Sequence, residues 1–210
     1  MLNFRFATKE DIQPMAEMAA LSFKDYPFYT RFVKPRFTDE KMYLSFIRKV
    51  LAVHFRIDQK KGFGVIISDN SMPVGVALAS PSLAENSIWD YLLSGGFKLF
   101  PYFKDGLLND FLNQSDIAEK RYRQEANQET WYLSFLAVNE NYQGHGLGSA
   151  ILNKHLIPRL QTNDIKRLAL ITNTDKSYHF YESNNFKCFD QTKLVLNNRQ
   201  IDNWCFIKNI

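Results

Sequence analysis

The pattern of hydrophobic and polar positions along the first third of the chain changes its period several times. Positions 3–7 alternate as in a short strand, and apolar residues then recur at helical spacing over 12–23. Residues 26–36 contain two prolines and four aromatic residues, which predicts an ordered loop. A second helical pattern covers 38–54, and two apolar runs around the polar turn 69–71 then predict a β-hairpin.

The pattern in the later part of the chain predicts alternating strands and helices. The first of these elements is an aromatic strand at 131–138. A glycine-rich turn follows this strand and leads into a helix that extends to about residue 161. Because a helix connects them, the next apolar run, 167–172, should lie parallel to the aromatic strand. A short helix at 175–184 and a hairpin of strands at 189–196 and 201–207 complete the predicted order.

Residues 80–130 separate the first hairpin from the aromatic strand and read as three helical segments. Glycine and proline residues punctuate these segments, and the last segment has apolar positions on one side and charged positions on the other. The stretch has neither a linker composition nor an internal repeat. We therefore expect a helical insertion that packs on a single domain spanning residues 1–210.

Composition limits the classes of protein to which the chain can belong. Its 210 residues are 45% hydrophobic, enough for a substantial core, and the net charge of +4 is too small to indicate nucleic-acid binding. The two cysteines lack metal-ligand or dithiol spacing, and no apolar run is long enough to span a bilayer. With no signal-peptide pattern at its start, we expect a cytoplasmic monomer or homodimer without membrane or nucleic-acid partners.

The turn after the aromatic strand is unusually rich in glycine, with Gly144, Gly146 and Gly148 at alternate positions. Glycine lets a ligand approach the backbone closely. The first amides of the following helix have no partner within the helix, and the helix dipole adds positive potential there. The sequence therefore predicts an anion site suited to a phosphate or pyrophosphate. Neither the lysine of a Walker loop nor the glycine spacing of a dinucleotide fingerprint is present.

Two motifs resemble those of the GNAT (Gcn5-related N-acetyltransferase) superfamily. Gln143-x-x-Gly146-x-Gly148, preceded by the apolar strand, is similar to the motif whose loop holds the pyrophosphate of coenzyme A. The Phe-Tyr-Glu run at 180–182 resembles the motif that closes the cofactor site, although Asn185 stands where that motif has glycine. The Trp-Tyr-Leu run that opens the aromatic strand and the helical insertion also resemble the puromycin acetyltransferase-like branch.

This resemblance implies an α/β fold of GNAT type, mixed and α+β-like. Its central sheet should be mixed and mostly antiparallel, parallel and splayed at the fourth and fifth strands, with flanking helices and the helical insertion. The resemblance also implies an N-acetyltransferase that uses acetyl-CoA, whose thioester the amine attacks directly. The residues that it assigns to coenzyme A are Leu136, Ala137, Val138, Gln143, Gly144, His145, Gly146, Leu147, Gly148, Ser149, Asn173, Ser177 and Tyr181.

Acetyl transfer to an amine needs a base for the amine and benefits from an acid for the leaving thiolate. The resemblance implies Tyr181 as this acid, because a phenol pKa of about 10 lies close to that of an alkyl thiol. No base is evident on the aromatic strand, where alternation puts Tyr132 and Ser134 on one face, opposite Leu133 and Phe135. A water chain could serve instead, or one of three carboxylates near the end of the insertion: Glu119, Glu125 and Glu129.

We expect the acceptor to be the primary amine of a small molecule. The long, aromatic insertion should form one wall of its pocket together with residues 26–36. Two alternatives remain, namely a protein or peptide N-acetyltransferase with an open, acidic groove, and a non-catalytic acyl-CoA-binding module. The residues that we assign to the acceptor are Trp89, Phe97, Tyr132 and Ser134.

The four histidines lack the spacing of a metal site, so no metal is expected. His145 lies within the phosphate loop and should contribute its backbone amide, with its side chain in solvent. His179, close to Tyr181 along the chain, is the histidine that we expect nearest to the chemistry.

Overall fold

The computed structural model describes residues 1–84, 87–103 and 105–210, and its framework is a seven-stranded sheet in the order β1-β2-β3-β4-β5-β7-β6. Neighbouring strands are antiparallel except β4 and β5, which are parallel. This arrangement confirms the predicted mixed, mostly antiparallel sheet. The strands are β1 Leu2–Phe6, β2 Phe63–Asp69, β3 Met72–Pro81, β4 Thr130–Val138, β5 Arg167–Thr172, β6 Lys187–Leu196 and β7 Arg199–Asn209.

Helices cover both faces of the sheet and make up most of the insertion. In the part of the chain that the structure describes, none of them is long and apolar enough to cross a bilayer. Short 3-10 turns lie at Lys9–Asp11, Lys34–Arg36, Gly96–Tyr102 and Glu140–Tyr142, and π-helical turns at Tyr29–Val33 and Ile151–Leu156. The helices are α1 Ile12–Phe23, α2 Glu40–Lys61, α3 Ile88–Leu93, α4 Leu107–Glu125, α5 Leu147–Ala150, α6 Ile157–Gln161 and α7 Asp175–Ser183.

The predicted end of the second helix near His54 is wrong. α2 continues to Lys61, and the amide of Gly62 donates to the carbonyl of Asp58 across its last turn (2.7 Å). The apolar side of the helix continues with Phe55 and Ile57, both buried. As a consequence, Asp58 lies one turn beyond His54 on the same side of α2.

The prediction of a loop at residues 26–36 is also wrong. Tyr29–Val33 form a π-helical turn, which Lys34–Arg36 extend as a 3-10 turn. Phe32 and Val33 are buried in the core, so the segment is anchored by packing. Its prolines and aromatic residues correctly predicted an ordered segment, but they did not predict that the segment is helical.

Pro158 does not end the helical run that follows the glycine turn. Proline lacks the N–H that would donate to the carbonyl one turn back. The π-helical turn Ile151–Leu156 lies immediately before it and links α5 to α6, which begins at Ile157. The helical run therefore reaches Gln161, as predicted, by widening ahead of the proline.

The sheet separates two apolar cores. On one face, α1, α2 and the insertion surround a core that includes the fully buried Met15, Phe46 and Ile47. On the other face, the helical run from α5 to α6 packs against the strands through Ile151 and Leu156. β4 and β5 lie in the middle of the sheet, so each of the two cores covers one face of this strand pair.

α4 of the insertion extends across the sheet to its far edge. The side-chain amide of Gln114 donates to the backbone carbonyl of Val195 in β6 (3.2 Å). The side-chain amide of Asn203 in β7, fully buried, donates to the backbone carbonyl of Ala118 (3.1 Å). The insertion therefore packs on the same sheet as the rest of the chain.

β4 contains a bulge at Ser134. Leu78 of β3 pairs with Phe135, and the next residue of β3, Ala79, pairs with Leu133. Ser134 is thus an extra residue without a partner on β3. A bulge shifts the alternation of side chains by one position, so the residues on its two sides no longer follow simple strand alternation.

The bulge makes one prediction about β4 wrong. Leu133 packs in the core beneath α5 and α6, whereas Phe135 lies on the opposite face of the sheet. There its ring contacts Phe23 and Phe55, at centroid distances of 4.6 and 4.9 Å. Leu133 and Phe135 therefore do not share a face, and both Ser134 and Phe135 are directed toward α2.

Candidate active site

The turn between β4 and α5 exposes a run of glycine backbone. Gly144 and Gly146 have φ values of 80° and 72°, in the left-handed region that favours glycine, and a Cβ atom at either position would meet open space. Gly146 directly precedes α5, whose first amides have no helical partner. The loop is therefore open on the side where the sequence predicts that backbone N–H groups bind an anion.

The other residues of the loop differ in their surroundings. A Cβ atom at Gly148 would lie only 3.1 Å from the ring of Phe180, so this glycine allows close packing of α5 on α7. Leu147 is buried in the core, Ser149 is half-buried, and the side chain of His145 is exposed. The three glycines of the motif thus have two different functions, two in the open loop and one in packing.

Gln143 holds the loop in place. Its Nε2 donates to the carbonyl of Val138 at the end of β4 (2.9 Å), and its Oε1 accepts from Nζ of Lys176 in α7 (2.8 Å). Lys176 therefore places a positive charge beside the exposed glycine backbone. Sequence reasoning missed Lys176, because no local pattern shows that the start of α7 lies next to this loop.

β4 and β5 diverge close to the loop. Their parallel pairing covers only residues 130–132 against 167–169. Residues 136–138 still pair with β3, but their opposite edge lies beyond the last residue pair of β4 and β5. This splay leaves a cleft in the middle of the sheet, lined by the free backbone edge of β4.

Asn173 and Ser177 lie at the end of β5 and the start of α7. The backbone amide of Asn173 donates to the hydroxyl of Tyr26 (2.8 Å), and its side chain donates to the carbonyl of Asp202 (2.8 Å). The amide of Ser177 donates to Oγ1 of Thr174, which caps α7 (3.1 Å). The side chain of Asn173 is thus occupied by contacts within the fold.

A cavity of about 180 Å³ opens at the splay, and we call it the central cavity. Tyr181 borders it from α7, Ser134 borders it from the bulge of β4, and Tyr26 borders it from the segment after α1. Burial raises the pKa of Tyr181 above its ordinary value, so the phenol keeps its proton at neutral pH but is less closely matched to the pKa of an alkyl thiol than its sequence-based prediction assumed. The ring of Tyr181 packs against Phe186, with centroids 5.5 Å apart.

The strand, the glycine loop, the helical run and the Tyr181 motif form a contiguous unit. A family model described as the acetyltransferase (GNAT) domain matches residues 113–188, which contain all four. Residues 113–188 of the chain match the GNAT acetyltransferase domain. This match supports N-acetyl transfer with acetyl-CoA as the cosubstrate, as the sequence motifs predict.

Solved structures with the GNAT fold are similar to the whole chain, at low identity. A search of curated protein sequences finds no significant match. One similar structure is PaiA N-acetyltransferase from Thermoplasma acidophilum in complex with coenzyme A, at 14% identity and a TM-score of 0.58, with 100% of this chain and 99% of that chain covered. An N-acetyltransferase from Staphylococcus aureus Mu50 has 13% identity and a TM-score of 0.57, with 100% of this chain and 98% of that chain covered. The ribosomal-protein-S18-alanine N-acetyltransferase from Escherichia coli has 14% identity and a TM-score of 0.55, with 100% of this chain and 94% of that chain covered.

The residues of this GNAT domain fit acetyl-CoA chemically. The open backbone at Gly144 and Gly146, together with Lys176, provides the positive potential that a pyrophosphate requires. The edge of β4 at 136–138, where the carbonyl of Val138 already accepts from Gln143, can bond the amides of an extended pantetheine arm in the way that a sheet edge binds a strand.

Asp58 supplies a carboxylate next to the bulge. Its Oδ2 accepts from Oγ of Ser134 (2.6 Å) and its Oδ1 accepts from Oγ of Ser80 (3.2 Å). Burial raises the pKa of Asp58 to about 6, although both hydroxyl groups and the charge of Lys61 oppose the increase. The carboxyl group borders the central cavity. The sequence reading missed Asp58, because it ended α2 one turn too early.

Of the three glutamates considered as bases, Glu119 borders the central cavity. Its Oε2 accepts from a guanidinium nitrogen of Arg123 (2.5 Å) and from the hydroxyl of Tyr122 (3.2 Å). Burial raises its pKa, and the charge of Arg123 opposes that increase. Glu125 and Glu129 are exposed and lie outside the cavity.

The structure does not bring Trp89 and Phe97 to the central cavity. Their side chains are 67% and 56% exposed, and neither borders it. Tyr132, in contrast, borders the cavity and stacks on Tyr122 of α4, with ring centroids 4.1 Å apart. The insertion reaches the central cavity through α4, including Phe111 and Glu119, and not through α3.

The histidine nearest to the cavity is His54, and not His179 as expected. His54 borders the central cavity from α2. Its burial lowers its pKa, so the imidazole is neutral at neutral pH. His179 is exposed on α7, where its Nδ1 lies 3.3 Å from a carboxylate oxygen of Glu182.

Proposed function

We propose that the protein acetylates the primary amine of a small molecule bound in the central cavity. The observation that carries this proposal is the position of Asp58, a half-buried carboxylate that touches the bulge of the strand beside the splay. The cavity volume of about 180 Å³ suits one small amine better than a polypeptide segment. Tyr132 and Ser134, both predicted as acceptor residues, border the same cavity.

In the proposed mechanism, Asp58 accepts the proton that the amine loses. A carboxylate with a pKa of about 6 is ionised at neutral pH and is a stronger base than an ordinary aspartate. The hydroxyl groups of Ser134 and Ser80 hold one oxygen each and leave lone pairs free for the amine. Glu119, which is bound to Arg123, adds negative potential that favours a cationic amine at the cavity.

The cosubstrate supplies an acetyl group activated as a thioester, so that the amine nitrogen bonds to the carbonyl carbon, the carbon–sulfur bond breaks, and an amide and a thiol result. The phenol of Tyr181 donates its hydrogen to the departing sulfur, and the second proton that the nitrogen loses after its attack restores the phenol. We further propose that the loop backbone from Gln143 to Ser149 and Lys176 hold the pyrophosphate. The backbone of Leu136, Ala137 and Val138 holds the pantetheine arm, and Ser177 borders the thioester end.

A panel of acceptors tests this proposal. Release of coenzyme A thiol is measured with free primary amines, with peptides that carry a free N-terminal amine, and with internal lysine peptides. We expect turnover with free amines and at least about tenfold lower kcat/KM with both kinds of peptide, since the cavity walls exclude a chain. Faster turnover with peptides would contradict the proposal in favour of a peptide acetyltransferase. Binding of coenzyme A without any thiol release would favour the non-catalytic alternative.

Tyr181→Phe is expected to lower kcat about 100-fold and to leave the Kd of coenzyme A nearly unchanged, because it removes only a hydroxyl group. This decrease in kcat is at the lower end of the range for removal of a general acid, because water can also protonate a thiolate. Tyr178→Phe is the matched control, because Tyr178 lies on the same helix and packs on Trp204 and Phe206, away from the cavity. Equal kcat values for the two variants would exclude Tyr181 from the mechanism.

A further inference from the structure

A second cavity, of about 290 Å³, lies beside the central cavity within the insertion, and we call it the apolar annex. It is enclosed by side chains of α2, α3, the 3-10 turn Gly96–Tyr102 and α4. Its walls are formed almost entirely by carbon atoms. The residues that characterise it are Val53, Leu92, Leu99, Phe100, Leu108 and Leu112.

The annex and the central cavity share part of their walls. Val50, His54 and Phe111 border both of them. The rings of His54 and Phe111 lie 6.5 Å apart at their centroids and form the boundary between the two spaces. The two cavities are therefore adjacent, and a ligand with one end beside Asp58 would have to pass His54 to place its other end in the annex.

The two cavities differ sharply in charge. Asp58 and Glu119 border the central cavity, whereas no carboxylate, ammonium or guanidinium group is among the described residues that border the annex. His54 at the boundary is neutral at neutral pH, because its burial lowers its pKa. The pair of cavities is thus complementary to a molecule with a cationic amine at one end and an apolar body at the other.

The annex reaches the surface through an apolar rim. Ile88, Phe100 and Phe103 border it while 71%, 53% and 41% exposed, respectively. Large exposed apolar side chains that surround a cavity indicate a binding site. A cavity of about 150 Å³ with apolar walls stays dry and binds benzene, so the annex has room for roughly two rings or an alkyl chain of about eight carbons.

We propose that the apolar annex binds the hydrophobic substituent of the acceptor, so that the preferred substrates are primary amines with an aryl or medium-length alkyl group. The proposal rests on acetyl transfer to small amines at the central cavity. It excludes short polyamines as preferred substrates. Their second ammonium group would enter a space in which no described residue offers a carboxylate, at a high desolvation cost.

Straight-chain primary amines from propylamine to dodecylamine test the proposal. We expect kcat/KM to rise about threefold to fourfold per added methylene up to about eight carbons, which is the effect of transferring a methylene out of water, and then to level off. The diamine 1,6-diaminohexane should have a kcat/KM at least about tenfold below that of hexylamine, since its second ammonium group would be buried without a partner.

Filling the annex provides the second measurement. Leu99→Phe and Leu108→Phe each add volume to its wall, because both leucines border the annex and not the central cavity. Each should lower the octylamine-to-propylamine ratio of kcat/KM by about fourfold or more, the value for one displaced methylene. Leu93→Phe is the matched control, because Leu93 is 78% exposed on α3 and borders neither cavity. The ratio for Leu93→Phe should equal that of the wild-type protein.

Binding of the products separates this inference from the proposed function. The Kd values of N-octylacetamide and N-propylacetamide are measured by calorimetry in the presence of coenzyme A, with no turnover required. The inference is supported if N-octylacetamide binds more tightly than N-propylacetamide and if Leu108→Phe abolishes this difference, even if no amine is acetylated. Equal Kd values, or a kcat/KM independent of chain length, would overturn the inference while leaving acetylation of small amines intact.

Discussion

Asp58→Asn is expected to lower kcat/KM by about 10²–10⁴-fold, the usual loss on removing a general base. The substitution retains the shape of the side chain, and its amide oxygen can still accept from Ser134. The Kd of coenzyme A should be nearly unchanged, because Asp58 lies on α2 and not on the glycine loop. Calorimetry of coenzyme A binding and initial rates at amine concentrations below KM measure the two quantities.

The pH dependence of the reaction provides an independent test of Asp58. A base must be ionised to accept a proton, so kcat/KM of the wild-type protein should fall below pH 6 and level off above it, in accordance with a pKa of about 6. The residual kcat/KM of Asp58→Asn should show no such increase between pH 5 and pH 7. If the variant retained both its activity and this rise, Asp58 would not be the base, and Glu119 would be the next candidate.

Asp58→Asn should lower the activity of the protein but not its stability. The pKa of Asp58 is higher in the folded protein than in the unfolded chain, so ionisation destabilises the fold as the pH rises from about 4 to 6. Asn is never ionised. Its free energy of unfolding should therefore equal or exceed that of the wild-type protein above pH 6, by up to about 3 kcal/mol. Asp164→Asn, at a side chain that is 98% exposed, is the matched control.

Gly146→Asp should weaken coenzyme A binding by about 10³-fold or more. The new carboxylate would face the open side of the loop, where the pyrophosphate is proposed to bind, and juxtaposed like charges cost several kcal/mol. The fold should tolerate the change, because nothing lies near a Cβ atom at this position and Asp is among the residues that accept a positive φ. Calorimetry with coenzyme A measures the loss.

Gly146→Asn separates the effect of charge from that of shape. Asn matches Asp in size and in its tolerance of the left-handed conformation, but it is neutral. It should bind coenzyme A at least about tenfold more tightly than Gly146→Asp. Equal affinities for the two variants would mean that bulk alone disrupts the loop. Wild-type affinity in a folded Gly146→Asp variant would place the pyrophosphate elsewhere.

Local sequence patterns predicted those elements whose secondary structure and motifs are set by residues close together along the chain. The β4 strand, the glycine turn, the helix after it and the Tyr181 motif lie within a short stretch of chain, and each has its own period or spacing. The parallel pairing of β4 and β5 also followed, because a helix must connect parallel neighbours. Asn185 has a φ of 63°, as expected for a left-handed residue after a helix.

Residues that meet only through tertiary contacts could not be predicted in the same way. Asp58 lies within a polar stretch that resembles the end of a helix, and its importance depends on contacts with Ser134 and Ser80, both distant along the chain. The bulge at Ser134 leaves no trace in the hydrophobic pattern, which is why Phe135 was assigned to the wrong face. Trp89 and Phe97 were predicted because they are aromatic, but aromatic character does not show whether a side chain borders a cavity or lies in solvent.

The splay between β4 and β5 also affects how the two parts of the sheet are held together. Strands β1–β4 and β5–β7 share backbone hydrogen bonds over only three residue pairs, so the sheet has a weak seam through its centre. α4 contacts both sides of this seam: Gln114 donates to β6, and the ring of Tyr122 stacks on Tyr132 of β4. Because Glu119 lies on the same helix, a change in the angle between the two parts would shift this carboxylate relative to Asp58. The helix that braces the seam therefore also sets the spacing between the two acids.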